Sequence, residues 1–335
     1  MFKIADYNII KILGKGAYGI VFLVSKDGVE YALKFQKTLE KHIKYNSRSK
    51  QWREIIFSDF FKKKTPLLLT MYDYGFCEKK NYNEIKYTIE DNWSYEHKKL
   101  FEELNESNFF SYIIYELRTD SLQNIEKYLT IEQKYTLILQ LTVLIQLLNQ
   151  HGFYHNDIHL HNIMFERTNE PSITVNNTKI PTLGFVFTLI DYGENTHIEY
   201  ELTPQERSYM TTILSNENTE VTSIIRLLLR IDQLYSLMQK NNMTIPYLSD
   251  FGKEIQKCGE YSTIIETINP KDSEMVYYYF ACLNFKHFVN LHNIDESEHS
   301  TLLPISDILF SIHNRGNISK IINYFLHKID GFTEN

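Results

Sequence analysis

The spacing of apolar residues changes near residue 116. Before that point they come mostly in short, β-branched runs, and after it they fall mostly at helical intervals. "YNIIKILGKGAYGIVFLVS" is two apolar runs joined by a glycine-rich turn, which predicts a hairpin-like pair of strands. "VEYALKF" predicts a third short strand. In "RSKQWREIIFSDFFKK" the apolar residues take helical spacing, with Trp52, Ile55, Ile56, Phe60 and Phe61 on one broad face. Pro66 closes that region, and "LLLTMYDYGFC" and "FFSYIIYEL" predict two more strands. Between these strands, from about Glu78 to Asn108, a polar and charged stretch containing "SYEHKKLFEELN" predicts an exposed insertion with a short helix.

Beyond Glu116, "TIEQKYTLILQLTVLIQLLNQHG" carries Leu137, Leu141, Leu144 and Leu148 at helical spacing, with Gly152 as a stop signal. It is too apolar for a surface helix and is expected to be the spine of a second unit. "NIMFERTN" and "GFVFTLIDYG" predict short strands flanking a polar stretch with "VNNTKIP", and "VTSIIRLLLRIDQLYSLMQ" and "ISKIINYFLHKI" predict further helices. No internal repeat, coiled-coil seam or low-complexity tail interrupts this order. The expected class is α+β: a strand-rich unit over 1–116, carrying the insertion at about 78–108, then a helical unit over 117–335. A hinge is expected near Tyr115 to Arg118.

Composition narrows the function classes. A chain of 335 residues, 43% hydrophobic with 24 tyrosines and 21 phenylalanines, can bury a substantial core. A net charge of −7 argues against direct nucleic-acid binding. No apolar run has membrane-spanning length, and "MFKIADYNIIKIL" lacks the apolar core of a signal peptide. Cys77, Cys258 and Cys282 are widely separated and show no ligand spacing, which fits a reducing, intracellular compartment. The abundance of Asn, Lys, Ile and Tyr looks like the imprint of an AT-rich genome.

Candidate chemistry concentrates in "HGFYHNDIHLHNIMF", residues 151 to 165. His151, His155 and His159 repeat every four residues, so on a helix they would share a face that could bind zinc. Gly152 and the Asn-Asp pair favour a turn instead, and the glutamate of H-E-x-x-H is missing. The alternative is H-x-D-x-x-x-x-N. There Asp157 accepts or orients a hydroxyl proton, Asn162 offers an amide oxygen to a hard cation, and Asp191 of "LIDYG" adds an anionic oxygen. Upstream, "LGKGAYGIV" runs through Leu13, Gly14, Lys15, Gly16, Ala17, Tyr18, Gly19, Ile20 and Val21. Its glycines join two strands, a context that fits a flap whose backbone N–H groups approach phosphates. Lys34 in "YALKF" would reach phosphate oxygens, with Glu54 on the following helix as its carboxylate partner. The blander readings are an outward-facing strand lysine and a solvent-facing glutamate beside Arg53.

Taken in order, these parts resemble the eukaryotic protein-kinase family, from about Tyr7 to at least Gly193. The resemblance implies a bilobal kinase-like fold. It implies ATP and Mg2+ as cofactors, with Mn2+ as a substitute, and a protein Ser/Thr hydroxyl as acceptor. By the same resemblance Ala32 and Met164 would sandwich the adenine, Tyr115 would be the gatekeeper, Glu116 and Leu117 would offer hinge backbone hydrogen bonds, and His155 would be buried and structural. Several positions depart from the family pattern. Asn156 replaces the arginine that usually precedes the catalytic aspartate, which implies activity without a phosphorylated activation loop. His159 replaces the usual lysine, a feature similar to haspin-like kinases and to aminoglycoside and choline kinases. Tyr192 stands for the phenylalanine of D-F-G. A hairpin or insertion is expected around Asn169 to Pro181, "TPQER" at 203 to 207 resembles A-P-E only loosely, and no helix-F aspartate is identified. These traits look similar to divergent kinases of large DNA viruses, which would place the chain in host cytoplasm or virion. The competing readings are a small-molecule kinase and a catalytically silent scaffold.

Overall fold

Antiparallel pairing and helical packing separate along the chain into a mixed α+β structure. The computed structural model describes residues 7–15, 19–79, 107–118, 120–125, 128–214 and 316–329, with 220, 223, 224, 307, 310, 311 and 314 as single positions. Gly16, Ala17 and Tyr18, most of the charged insertion and nearly all of the helix expected at "VTSIIRLLLRIDQLYSLMQ" lie outside the described residues.

Strands β1 (Asn8–Lys15), β2 (Gly19–Lys26), β3 (Val29–Thr38), β4 (Met71–Glu78) and β5 (Phe109–Glu116) form one antiparallel sheet in the order β1-β2-β3-β5-β4. A two-residue turn at Asp27-Gly28 joins β2 to β3, and both residues have positive φ, as a hairpin of matching twist requires. Strand alternation then divides β3 between two cores. Leu33 and Phe35 face a core with Ile20, Phe22, Val24, Phe110 and Ile114, whereas Ala32 faces the larger core with Ile113 and Tyr115. Lys34 shares the Ala32 side, in register with Val21 and Ile113. A slip of one residue would turn its ammonium to the opposite face.

Helix α1 (Lys50–Phe60) forms where expected, but the face it buries differs from the expected one. Arg53, Glu54, Ile55, Phe57 and Ser58 are buried, while Phe60 is exposed and Trp52 and Ile56 are half-buried. The helix is turned so that two charged residues point inward, each towards a partner of opposite sign. Apolar periodicity does not register that pairing. The strand expected from Leu67 starts later, at Met71. Leu67 and Leu68 instead dock on Leu189, with the Leu189 amide donating to the Leu67 carbonyl at 2.9 Å.

The remaining described chain is built on α2 (Ile131–Gln150). Its N-terminus carries a capping box, Thr130 accepting from the Gln133 amide and Gln133 accepting from the Thr130 amide. Gly152, at φ +73°, turns the chain away beyond its end. Helix α2 is buried along nearly its whole length, as expected of a spine. A three-stranded sheet in the order β11-β8-β6 packs beside it, made of β6 (Asp120–Ser121), β8 (Ile163–Arg167) and β11 (Phe185–Leu189), and the short strands β7 (Phe153–Tyr154) and β12 (Thr196–His197) pair with each other. The expected hairpin is β9 (Ser172–Val175) and β10 (Thr178–Pro181), turning at Asn176-Asn177 with both φ positive. Helices α3 (Pro204–Leu214) and α4 (Ile318–Lys328) follow, and α4 packs on α2 through Phe325 against Tyr135. Among the described residues, no helix is long and apolar enough to cross a membrane.

Candidate functional site

Three charged side chains meet where β3, α1 and the end of β11 converge. The Lys34 ammonium donates to Glu54 Oε1 at 2.7 Å, to Glu54 Oε2 at 2.9 Å and to Asp191 Oδ1 at 2.7 Å. Lys34 is thus neither an edge lysine nor outward-facing, and Glu54 is buried rather than solvent-facing. Burial works against the ammonium, but the two carboxylates outweigh it and hold the Lys34 pKa above its ordinary value. Asp191 is held below the usual carboxylate range: burial opposes this, and the Lys34 ammonium prevails. Glu54 is fixed from behind by the Tyr115 hydroxyl at 3.1 Å, and that hydroxyl also hydrogen-bonds Ser58 Oγ at 2.9 Å.

Asp191 leaves β11 with φ 64°, a left-handed turn that an aspartate tolerates and a β-branched residue would resist. Tyr192, next along the chain, anchors that turn. Its ring stacks on Phe57 of α1 at 4.6 Å between centroids and meets His155 edge-on at 5.8 Å. Its hydroxyl donates to the Leu189 carbonyl at 2.7 Å and accepts from the Leu69 amide at 2.9 Å. The phenol therefore performs hydrogen bonding that a phenylalanine could not.

The loop carrying Asp157 is shaped mainly through its backbone. His155 is fully buried, and burial lowers its pKa to about 4, so the ring is neutral at ordinary pH. Its Nε2–H donates to the Ile190 carbonyl at 3.1 Å, while Nδ1 accepts from the Asp157 amide at 3.3 Å. Asn156 sits at φ 65° and its side-chain amide donates to the Glu194 carbonyl at 3.1 Å and to Thr196 Oγ1 at 3.0 Å. Asn162 donates from Nδ2 to both the Asp157 carbonyl and Asp157 Oδ2 at 2.9 Å, and its own carbonyl accepts from the Ile190 amide at 2.8 Å. Asp157, Asn162 and Asp191 are thereby tied into one locality.

The three histidines do not share a helix face. His151 ends α2, His155 is in the core, and His159 is half-exposed with Nε2 at 3.5 Å from Asp157 Oδ1. That proximity raises the His159 pKa and lowers that of Asp157. Among the described residues no group of three or more His, Cys, Asp and Glu side chains is placed to hold a metal ion. The oxygen donors of Asn162 and Asp191 are nevertheless of the kind a hard cation takes. Asn162 Nδ2 is committed to Asp157, which turns Oδ1 of the same amide the other way, and Asp191 adds a carboxylate.

Sequence reasoning missed Glu220. Its buried carboxylate accepts from the His155 amide at 2.5 Å and from the Asn156 amide at 3.1 Å, clamping the loop just ahead of Asp157. Burial pushes its carboxyl up to about 7 against those two hydrogen bonds. It is one acid among 42 Asp and Glu and lies 65 residues from His155, so no local pattern marks it.

The other expected residues divide by face. Val21, Ala32, Tyr115 and Leu117 border the larger core on the Lys34 side, and Met164 is half-buried on β8. Ile20 is turned into the opposite core, in register with Phe35, so its side chain lies on the face away from Lys34. Leu13 is exposed in a bulge of β1 between Ile12 and Gly14, and Gly14 and Lys15 pair with Val21 and Ile20. Gly19 owes its identity to packing, because a Cβ there would lie 2.1 Å from the Phe35 carbonyl oxygen. The Glu116 amide donates to the Thr70 carbonyl at 2.9 Å. Its carboxylate pairs with Arg118 at 2.6 Å.

No protein-family model matches the chain, and no curated protein matches it.

Proposed function

We propose that this chain is an ATP-dependent protein kinase that transfers the γ-phosphate to a Ser/Thr hydroxyl, with the nucleotide held between two kinase-like lobes that meet near Glu116. One observation carries the reading. Residues as distant as Lys34, Glu54 and Asp191 form a single ion-paired cluster, and Asp157 and Asn162 are hydrogen-bonded beside it. An interior lysine held by two carboxylates is a costly arrangement for stability alone. It is well suited to gripping phosphate oxygens, because the ammonium is pre-oriented and charged.

In this reading Lys34 pairs with phosphate oxygens while Glu54 keeps its ammonium in place. Asn162 and Asp191 would hold Mg2+, which when bound offsets charge on the phosphates. Asp157 orients the acceptor hydroxyl. Its oxygen forms the new bond to the γ-phosphorus, the bond from that phosphorus to the β–γ bridging oxygen breaks, and ADP leaves with the electron pair. The hydroxyl proton passes to Asp157. The amide of Asn162 fixes Oδ2 of this carboxylate, and His159 lies near Oδ1.

The second reading, a kinase for small alcohols, draws on His159 beside Asp157 and on the absence of a clear A-P-E in the sequence. A radiolabelled-phosphate assay separates the two, using mixed protein acceptors beside a panel of small alcohols. Label in polypeptide serine or threonine is expected. Label confined to small alcohols would favour the second reading, and no transfer to any acceptor would favour the silent scaffold.

A further inference from the structure

Helix α1 is held at two places. Glu54 grips Lys34, and one residue earlier Arg53 turns the other way. Arg53 is almost fully buried, with 6% of its side chain exposed. Its Nη1 donates to Glu206 Oε1 at 2.6 Å, its Nε donates to the Ser47 carbonyl at 2.6 Å, and its guanidinium lies 5.5 Å from the centre of the Tyr200 ring.

Glu206 is fixed as firmly. It belongs to a capping box at the start of α3, where Oε2 accepts from the Thr203 amide at 2.7 Å and its own amide donates to Thr203 Oγ1 at 3.2 Å. One carboxylate oxygen is thus committed to the helix cap, and the other is aimed at Arg53. Burial opposes ionisation, but Arg53 and Thr203 outweigh it and hold the carboxyl at about 2. Two flanking pairs, Lys50 with Glu194 and Arg48 with Glu201, join the same segments. Both are exposed and contribute little.

We infer that Arg53 and Glu206 form a built-in latch that fixes α1 where Glu54 engages Lys34, so that the site is assembled without a phosphate being added to the segment after Asp191. This rests on the proposed transfer reaction. An added phosphate commonly orders such a segment by giving an arginine an anionic partner. Here the anion is a carboxylate supplied by the chain and oriented by a helix cap. Arg53 and Glu206 are therefore positioning residues that act through Glu54.

The test uses the full chain after phosphatase treatment, comparing wild type, E206Q and R53M. E206Q is the informative variant, because glutamine keeps the cap and loses the charge. Treated wild type is expected to transfer phosphate as fast as untreated protein. Both variants should raise the KM for ATP by about tenfold or more, the scale of a lost charge-assisted hydrogen bond. Hydrogen exchange should quicken across residues 50–60 and stay unchanged in β2 and β3. A fall in kcat at constant KM, with α1 exchange unaltered, would mark a purely structural contact and overturn the latch. Loss of activity on phosphatase treatment would overturn it too. Wild type that never transfers phosphate overturns the underlying reading, and the exchange comparison then judges the latch by itself.

Discussion

Lys34 and Asp157 are the two charged side chains on which the proposed chemistry turns, and the protein holds them in different ways. The Lys34 ammonium is enclosed by side chains: two carboxylates accept from it, and the phenol of Tyr115 backs one of them. Asp157 is half-exposed and is held through the backbone, with Glu220 and His155 fixing the loop and Asn162 fixing the carboxylate. Removing a member of the first group leaves a buried charge without its partner. Removing the Asp157 charge leaves an intact loop. In the proposed reaction, binding machinery coupled to stability would therefore sit beside reactive machinery largely uncoupled from it.

The largest effect that could break this contrast is expected from Lys34→Met. It leaves Glu54 buried with only hydroxyl support, at a cost of about 3–5 kcal/mol in unfolding free energy together with loss of transfer. Since Glu54 can escape by taking up a proton, the cost should shrink as pH falls, which urea unfolding at several pH values would reveal. A small, pH-independent cost would mean that the cluster is not coupled to stability. Asp157→Asn comes next. It should lower the transfer rate by about 10²–10⁴ while changing stability by less than about 0.5 kcal/mol. Asparagine still offers Asn162 an acceptor oxygen, so the loop is retained, and steady-state rates beside a melting curve check both halves.

The smallest effect belongs to His159. Its pKa is raised by Asp157, so its contribution to stability is fully present below the unfolded histidine value and is lost as pH rises through the folded one. The pair is half-exposed, so its worth should stay under about 1 kcal/mol. Unfolding of wild type against His159→Gln should show a gap below the usual histidine value of about 6.5 that closes as pH rises through the raised folded value. A gap that widened with pH would contradict the pairing.

Much of this contrast was legible in the sequence where the signal was local. The β-branched runs on either side of the glycine-rich stretch and "VEYALKF" marked the strands of the sheet, and the H-x-D-x-x-x-x-N spacing singled out Asp157 and Asn162. Glu54 was identified as the partner of Lys34, although the apolar pattern of α1 predicted a different buried face. What escaped was long-range and polar. Glu220 and the inward turn of Arg53 towards Glu206 both depend on partners many residues away, which hydrophobic periodicity does not register. The glycine-rich stretch shows a different limit. A glycine-rich motif names a stretch, whereas strand alternation sends alternate residues to opposite faces.

The central claim is that the Lys34 cluster and the Asp157 loop serve one nucleotide, the first by binding it and the second by acting on it. Thermal unfolding with and without MgATP tests this most directly. At a ligand concentration about 100-fold above Kd the wild type should gain about 2.7 kcal/mol. Asp157→Asn should keep that gain and Lys34→Met should lose it. A wild type that MgATP does not stabilise, or a Lys34→Met protein stabilised as much as the wild type, would contradict the account.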